Sequence, residues 1–218
     1  MTTSVAVIDF ETTGLSPLNG DRATEVAIVL MDGDRVVDRF QSLMNAGVYI
    51  NSFIESYTGI TNDMISAAPP AHEVMAQAAR FVGDAPLVAH NASFDRRFWS
   101  AELGRLGLDE GAPGRGNPFA CTLLLSRRLY PEARSFRLGS LAAFHGIEFS
   151  SQAHRAMADA DVTARLWARI CRDMERRYAV FDVPHDLLVT LGQTARGKLA
   201  DSIDRFKKLS SSSLPACR

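Results

Sequence analysis

Excess positive charge, paired cysteines and long apolar runs are all missing from this chain of 218 residues. Lys and Arg number 24 against 25 Asp and Glu, a formal charge of −1. No global field therefore holds nucleic acid unselectively, and a polyanion has to be gripped locally, through metal ions and a few arginines. The three cysteines, Cys121, Cys171 and Cys217, make no C-x-x-C or Cys/His spacing. That argues against a structural zinc site and a disulfide framework, and predicts a reducing, cytoplasmic setting. The first residues, MTTSVAVIDFE, lack a basic stretch followed by a signal-type apolar run, and they meet an acid at Asp9. No stretch approaches the roughly 18 consecutive apolar residues that span a bilayer, so no membrane partner is expected. Neither a G-x-S-x-G elbow nor a G-x-x-x-x-G-K-[ST] loop occurs, and the cysteines have no obvious histidine partner. There is no internal repeat.

What is present fits an ordinary globular protein, 46% apolar and 22% charged. Residues 1–178 read as one domain and 179–218 as a C-terminal extension of short helices ending in the low-complexity LSSSSLPACR, predicted to be disordered. Residues 4–10 (SVAVIDF) are apolar on both faces, hence a central strand. Two more strands fit 24–31 and 35–43, joined by the hairpin signal MDGD and therefore antiparallel. Short helical pieces fit 51–57 and 61–66, and a clearer helix 71–82. A strand over 86–89 precedes a helix over 93–106, and helices fit 121–129, 138–144 and 156–178. A hairpin on a central strand followed by strand–helix alternation predicts a mixed α/β sheet with helices on its faces.

Three patches of this sequence place carboxylates where a core would have apolar residues. Asp9 and Glu11, two apart on a strand, leave the same face at its C-terminal end, where α/β sheets place ligands. A lone D-x-E also fits a polar strand end beside a turn. Thr12, Thr13 and Gly14 add hydroxyls, backbone N–H groups and a close-approach glycine suited to a phosphate or nucleotide. Asp95 opens a helix whose apolar row is Phe98, Trp99, Leu103 and Leu106. The macrodipole, with Ser93 as N-cap, explains an acid in that first turn but not its alignment with Phe98 and Trp99.

On the long helix Asp159 aligns with Thr163, Leu166 and Ile170, whereas Asp161 lies about 200° away. Asp161 shares a solvated face with Arg165, Arg169, Arg172 and Arg176, where i,i+4 pairing is expected. His154, five residues before Asp159, is about 140° round a helix from it. It must reach the site from a loop or first turn, which suits a proton carrier better than a fixed ligand. His90 reads as a hydrogen-bonding wall residue at a strand end, and Asn91 as a helix cap or substrate contact. His72, His145 and His185 read as structural or surface residues. Arg96, Arg97 and Arg155 flank the site and suit either backbone phosphates or solvent.

DFETTG, HNASFD and H-x-x-x-x-D, in this order, resemble the three exonuclease motifs of the DEDDh, DnaQ-like 3′–5′ exonucleases. That family includes the proofreading epsilon subunit of bacterial replicative polymerase. The resemblance runs from Ser4 to Tyr178, and TGITNDMISAAPP, CTLLLSRRLYP and SFRLGSLAAFHGI match its connecting segments. It implies a ribonuclease-H-like fold: a mixed five-stranded sheet, three antiparallel strands then parallel ones, flanked by helices. It also implies two Mg²⁺ or Mn²⁺ ions held by Asp9, Glu11, Asp95 and Asp159, with His154 as general base. Thr12, Thr13 and Leu15 would line the terminal nucleotide, with Leu15 wedged under its base and Asn91 and Phe94 completing the pocket. Two positions depart from the pattern. Thr58 stands where many relatives have His, which alters one nucleotide contact, and Cys121 replaces an Asp outside the ligand scheme.

The resemblance thus implies release of nucleoside 5′-monophosphates from nucleic acid 3′ ends, with DNA favoured over RNA. RNA 3′-end trimming is the alternative, and a non-catalytic nucleic-acid-binding scaffold a third reading that five intact site residues oppose. The implied roles are in DNA replication, proofreading or repair, although the tail beyond Tyr178 matches no polymerase- or clamp-binding segment.

Overall fold

The computed structural model describes residues 4–107, 114–148 and 155–212. β1 (Ser4–Thr12) is the central strand, since both of its faces are covered. It pairs antiparallel with β2 (Ala23–Asp32), which pairs antiparallel with β3 (Arg35–Leu43). The hairpin between them turns at Gly33, whose φ of 61° is the left-handed conformation that the D-G signal requires.

Three helices follow, α1 (Ser52–Thr58), α2 (Asn62–Ser66) and α3 (Ala71–Val82). The chain then returns as β4 (Leu87–Ala89), parallel to β1. After α4 (Ser93–Gly104) comes β5 (Phe119–Cys121), parallel to β4, giving the order β3-β2-β1-β4-β5. α5 (Thr122–Leu129), α6 (Leu138–His145), the long α7 (Ala156–Tyr178), α8 (His185–Gln193) and α9 (Leu199–Ser212) follow among the described residues. This is the mixed five-stranded, helix-flanked sheet of a ribonuclease-H-like fold.

Side chains on β1 alternate between two cores. Val5 and Val7 join Val88, Leu125, Leu166 and Ile170 under α5 and α7. Ala6, Ile8 and Phe10 join Val74, Ala78, Phe98 and Trp99 under α3 and α4. With a period of two, Asp9 and Glu11 fall on the α7 side of the sheet.

Several boundaries differ from those the sequence suggests. Cys121 is not helical: its alignment with Ala89 makes it the last residue of β5, and α5 begins at Thr122. Ala92, not Ser93, precedes α4, and no side chain caps that helix. Asp161 pairs with Arg39 of β3 at 2.9 Å rather than along its own helix, because α7 lies across the sheet.

The segment after Tyr178 packs against the rest of the chain. Leu187, Leu188 and Leu191 of α8, with Leu199 and Ile203, belong to the same core as Val5 and Trp167. The ring of His185 donates Nε2–H to the Leu87 carbonyl at 2.9 Å. The tail 213–218, with Cys217, lies outside the described residues. Among the described residues no helix is long and apolar enough to cross a membrane.

Candidate active site

The C-terminal end of β1 carries Asp9 and Glu11 toward α7, and the first turn of α7 carries Asp159 toward β1. One carboxylate oxygen from each of the three lies within 4.8 Å of the others. Asp95, 2% exposed in the first turn of α4, approaches from the opposite core, and its Oδ1 accepts the Phe10 N–H at 3.3 Å. All four acids line one cleft of about 700 Å³ with Thr12, Thr13, Gly14, Leu15, Asn91 and Phe94. Thr163, Leu166 and Ile170, the row aligned with Asp159, are buried as the helical spacing predicts. His154 lies outside the described residues.

Burial and mutual repulsion dominate the electrostatics. Asp9 is held well above the ordinary carboxylate range, first by burial and then by Asp95, Asp159, Glu11 and Glu25. Glu11 is pushed up to about 8 by burial, Asp159 and Glu25, with Arg155 opposing. Asp95 is pushed up to about 7 by burial, against the lowering effect of its backbone hydrogen bonds.

Sequence reasoning missed Glu25. It stands directly across from Glu11 on β2, two like charges on one face of the sheet. It is 1% exposed, takes two bonds from the Arg155 guanidinium at 2.9 and 3.2 Å, and accepts the Ala156 N–H at 3.2 Å. Arg155 is thus engaged within the protein and is not the phosphate-facing group allowed for in the sequence. The missed signal was an acid inside the apolar run TEVAIVLM, where an unpaired charge is not tolerated.

The loop after β1 is fixed by its own bonds. Thr12 Oγ1 donates to the Gly14 carbonyl at 2.6 Å, and Thr13 Oγ1 accepts from Arg22 N at 3.0 Å. Gly14 is required by Asp21: a Cβ there would stand 2.5 Å from the Asp21 carboxylate, which accepts the Ser16 N–H at 2.9 Å. The close approach predicted at this glycine is therefore made by a side chain of the same loop. Arg22 ties the loop to α4 through Glu102 at 2.8 and 2.9 Å. Leu15 is left 79% exposed at the cleft.

His90 bridges two elements. Its Nε2–H donates to the Phe136 carbonyl at 3.0 Å, so Nδ1 accepts from the Thr122 hydroxyl at 2.9 Å. Burial holds its pKa down to about 4, so the ring is neutral. Beside it Asn91 adopts a left-handed φ of 64°, uncommon for a residue with a side chain.

The RNase_T family profile, described as exonuclease, matches residues 6–167. The chain is 37% identical over 182 residues to a DNA polymerase III PolC-type of Halalkalibacterium halodurans. That match covers 84% of this chain but only 12% of the relative's length. Among solved structures, E. coli Exonuclease I in complex with a dT13 oligonucleotide superposes with a TM-score of 0.69 at 22% identity. It covers 81% of this chain and 43% of that one. The nuclease domain of 3′hExo bound to rAMP gives a TM-score of 0.66 at 18% identity, over 79% and 93% of the two chains. At these identities the structures establish a shared fold.

Proposed function

Since the chain belongs to the RNase_T exonuclease family, the DnaQ-like DEDDh enzymes, we propose that it is a metal-dependent 3′–5′ exonuclease acting on single-stranded DNA. It would release nucleoside 5′-monophosphates one at a time. The observation that carries this reading is the packing of Asp9, Glu11 and Asp159 within 4.8 Å, with Asp95 buried beside them. Acids that raise one another's pKa in this way persist as anions at neutral pH when a cation stands among them. Arg155, the cation that lowers the Glu11 pKa, is bonded to Glu25.

An all-carboxylate donor set fits Mg²⁺ or Mn²⁺, hard cations that take oxygen ligands and keep several waters. When bound, two such ions supply Lewis-acid activation of a water and offset charge on the scissile phosphate and the leaving 3′-oxygen. Asp9, Glu11, Asp95 and Asp159 are assigned to hold them. His154 is assigned the proton of the attacking water, a task suited to an ordinary imidazole pKa near 6.5. Leu15 is assigned to support the terminal base, with Thr12, Thr13, Gly14, Asn91 and Phe94 as the walls around the nucleotide.

DNA is preferred over RNA because the PolC-type relative is by name a DNA polymerase. A place beside a DNA polymerase in replication or repair is part of the same proposal. The test is hydrolysis of 5′-labelled single-stranded DNA and RNA with Mg²⁺, with Mn²⁺ and with chelator. A ladder shortening from the 3′ end in metal alone, faster on DNA, is the expected result. Faster loss of RNA would make the protein an exoribonuclease. Shortening in chelator, or none in either metal, refutes the reading.

A further inference from the structure

Glu11 and Glu25 stand opposite each other on β1 and β2, where like charges repel. Stability alone gives no reason for Glu25, since replacing a buried ion pair by apolar residues is often neutral or stabilising. Nor does Glu25 line the cleft, and at 1% exposure it is out of a substrate's reach. What it does hold is the start of α7. Its Oε1 accepts from Gln41 Nε2 and from Arg155 Nη2, each at 2.9 Å. Its Oε2 accepts from Arg155 Nε and from the Ala156 N–H, each at 3.2 Å.

Arg155, the residue before the helix, makes no side-chain capping bond of its own. Glu25 therefore supplies, from another element, the oxygen that a capping residue gives to a free N–H of the first turn. The next turn hangs from Arg155, whose carbonyl accepts the N–H groups of Ala158 at 2.9 Å and Asp159 at 3.3 Å. Asp159 is thus tied to Arg155, and Arg155 to Glu25. Resting on the exonuclease reading, we propose that Glu25 is a positioning residue of the active site. Through the Arg155 fork and the first turn of α7 it sets where the Asp159 carboxylate stands against Asp9 and Glu11. The tolerance is small, because the oxygens of those three acids meet within 4.8 Å, and a misplacement of about 1 Å is enough to disable such a constellation. Groups that orient metal ligands without touching the metal change affinity or activity by about 10- to 100-fold.

The experiment is calorimetric titration of Mn²⁺ into the wild type, E25Q, R155K, D159N and E25Q/D159N, with the fold of each checked by circular dichroism. In E25Q an amide NH₂ replaces one oxygen and meets two donors, and in R155K the charge stays while the fork is lost. Both are expected to weaken Mn²⁺ binding by about tenfold or more. In the D159N background E25Q should add no more than about twofold, since the placement of Asp159 is already immaterial there. A Glu25 that acted on the ion through its charge alone would weaken both backgrounds equally. On a labelled deoxyoligonucleotide in saturating Mn²⁺, E25Q should lower kcat and leave KM unchanged. Wild-type affinity in folded E25Q or in R155K, or equal losses from E25Q in the two backgrounds, overturns the positioning role and leaves the exonuclease reading standing. A wild type that neither binds Mn²⁺ nor shortens the oligonucleotide overturns both.

Discussion

Glu11 is the acid whose environment makes the sharpest claim. Its pKa in the fold is about 8 against an ordinary 4.5. Between those values the native state keeps a proton that the unfolded chain releases, so the stability contributed by this residue falls as pH rises through the window. In the absence of metal, Glu11→Gln should therefore be more stable than the wild type at pH 8.5, by about 1–3 kcal/mol. The difference should shrink toward zero near pH 4.5. Thermal denaturation in chelator at the two pH values checks this, and a difference independent of pH would contradict it. The acids were legible in the sequence because each occupies a position that periodicity assigns to the core. Glu25 occupies one too, but it sits mid-strand without a motif around it, and its partner Arg155 is 130 residues away.

The first turn of α7 is where two elements are locked together. Glu25 on β2 takes both the Arg155 guanidinium and the Ala156 N–H, so the helix start is held to the sheet by one carboxylate. Arg155→Met leaves that carboxylate buried beside Glu11 with one partner fewer. The expected loss is about 3 kcal/mol, the lower end of the range for a broken buried pair because Arg155 is partly exposed. A denaturant midpoint equal to that of wild type would refute this. Long elements were readable from pattern: β1 lies where a run apolar on both faces placed it, β2 and β3 where a hairpin signal joined two strand runs, and α7 where a helical stripe did. β5 was not, since three residues, Phe119–Cys121, show no period, and only pairing with β4 makes them a strand. The Arg39–Asp161 pair was equally hidden, because it depends on how α7 crosses the sheet.

At the scale of the whole molecule, the segment after Tyr178 is bound to the core through α8. Leu187, Leu188 and Leu191 are buried there, and burial of each leucine is worth about 1.5–3 kcal/mol. Truncation after Tyr178 should accordingly cost more than a small domain can spare. The shortened protein should lose near-ultraviolet dichroism and bind a hydrophobic dye; a truncated protein with the melting temperature of the full chain would contradict this. The family match ends at residue 167, so the motifs say nothing of how α8 packs, although short helices were expected after Tyr178. The central claim remains the convergence of Asp9, Glu11, Asp95 and Asp159 into one cation site. Calorimetric titration of Mn²⁺ into the wild type and into folded Asp95→Asn and Asp159→Asn variants tests it most directly. The account predicts binding by the wild type that is weakened at least tenfold in each variant; equal affinity in all three proteins would contradict it.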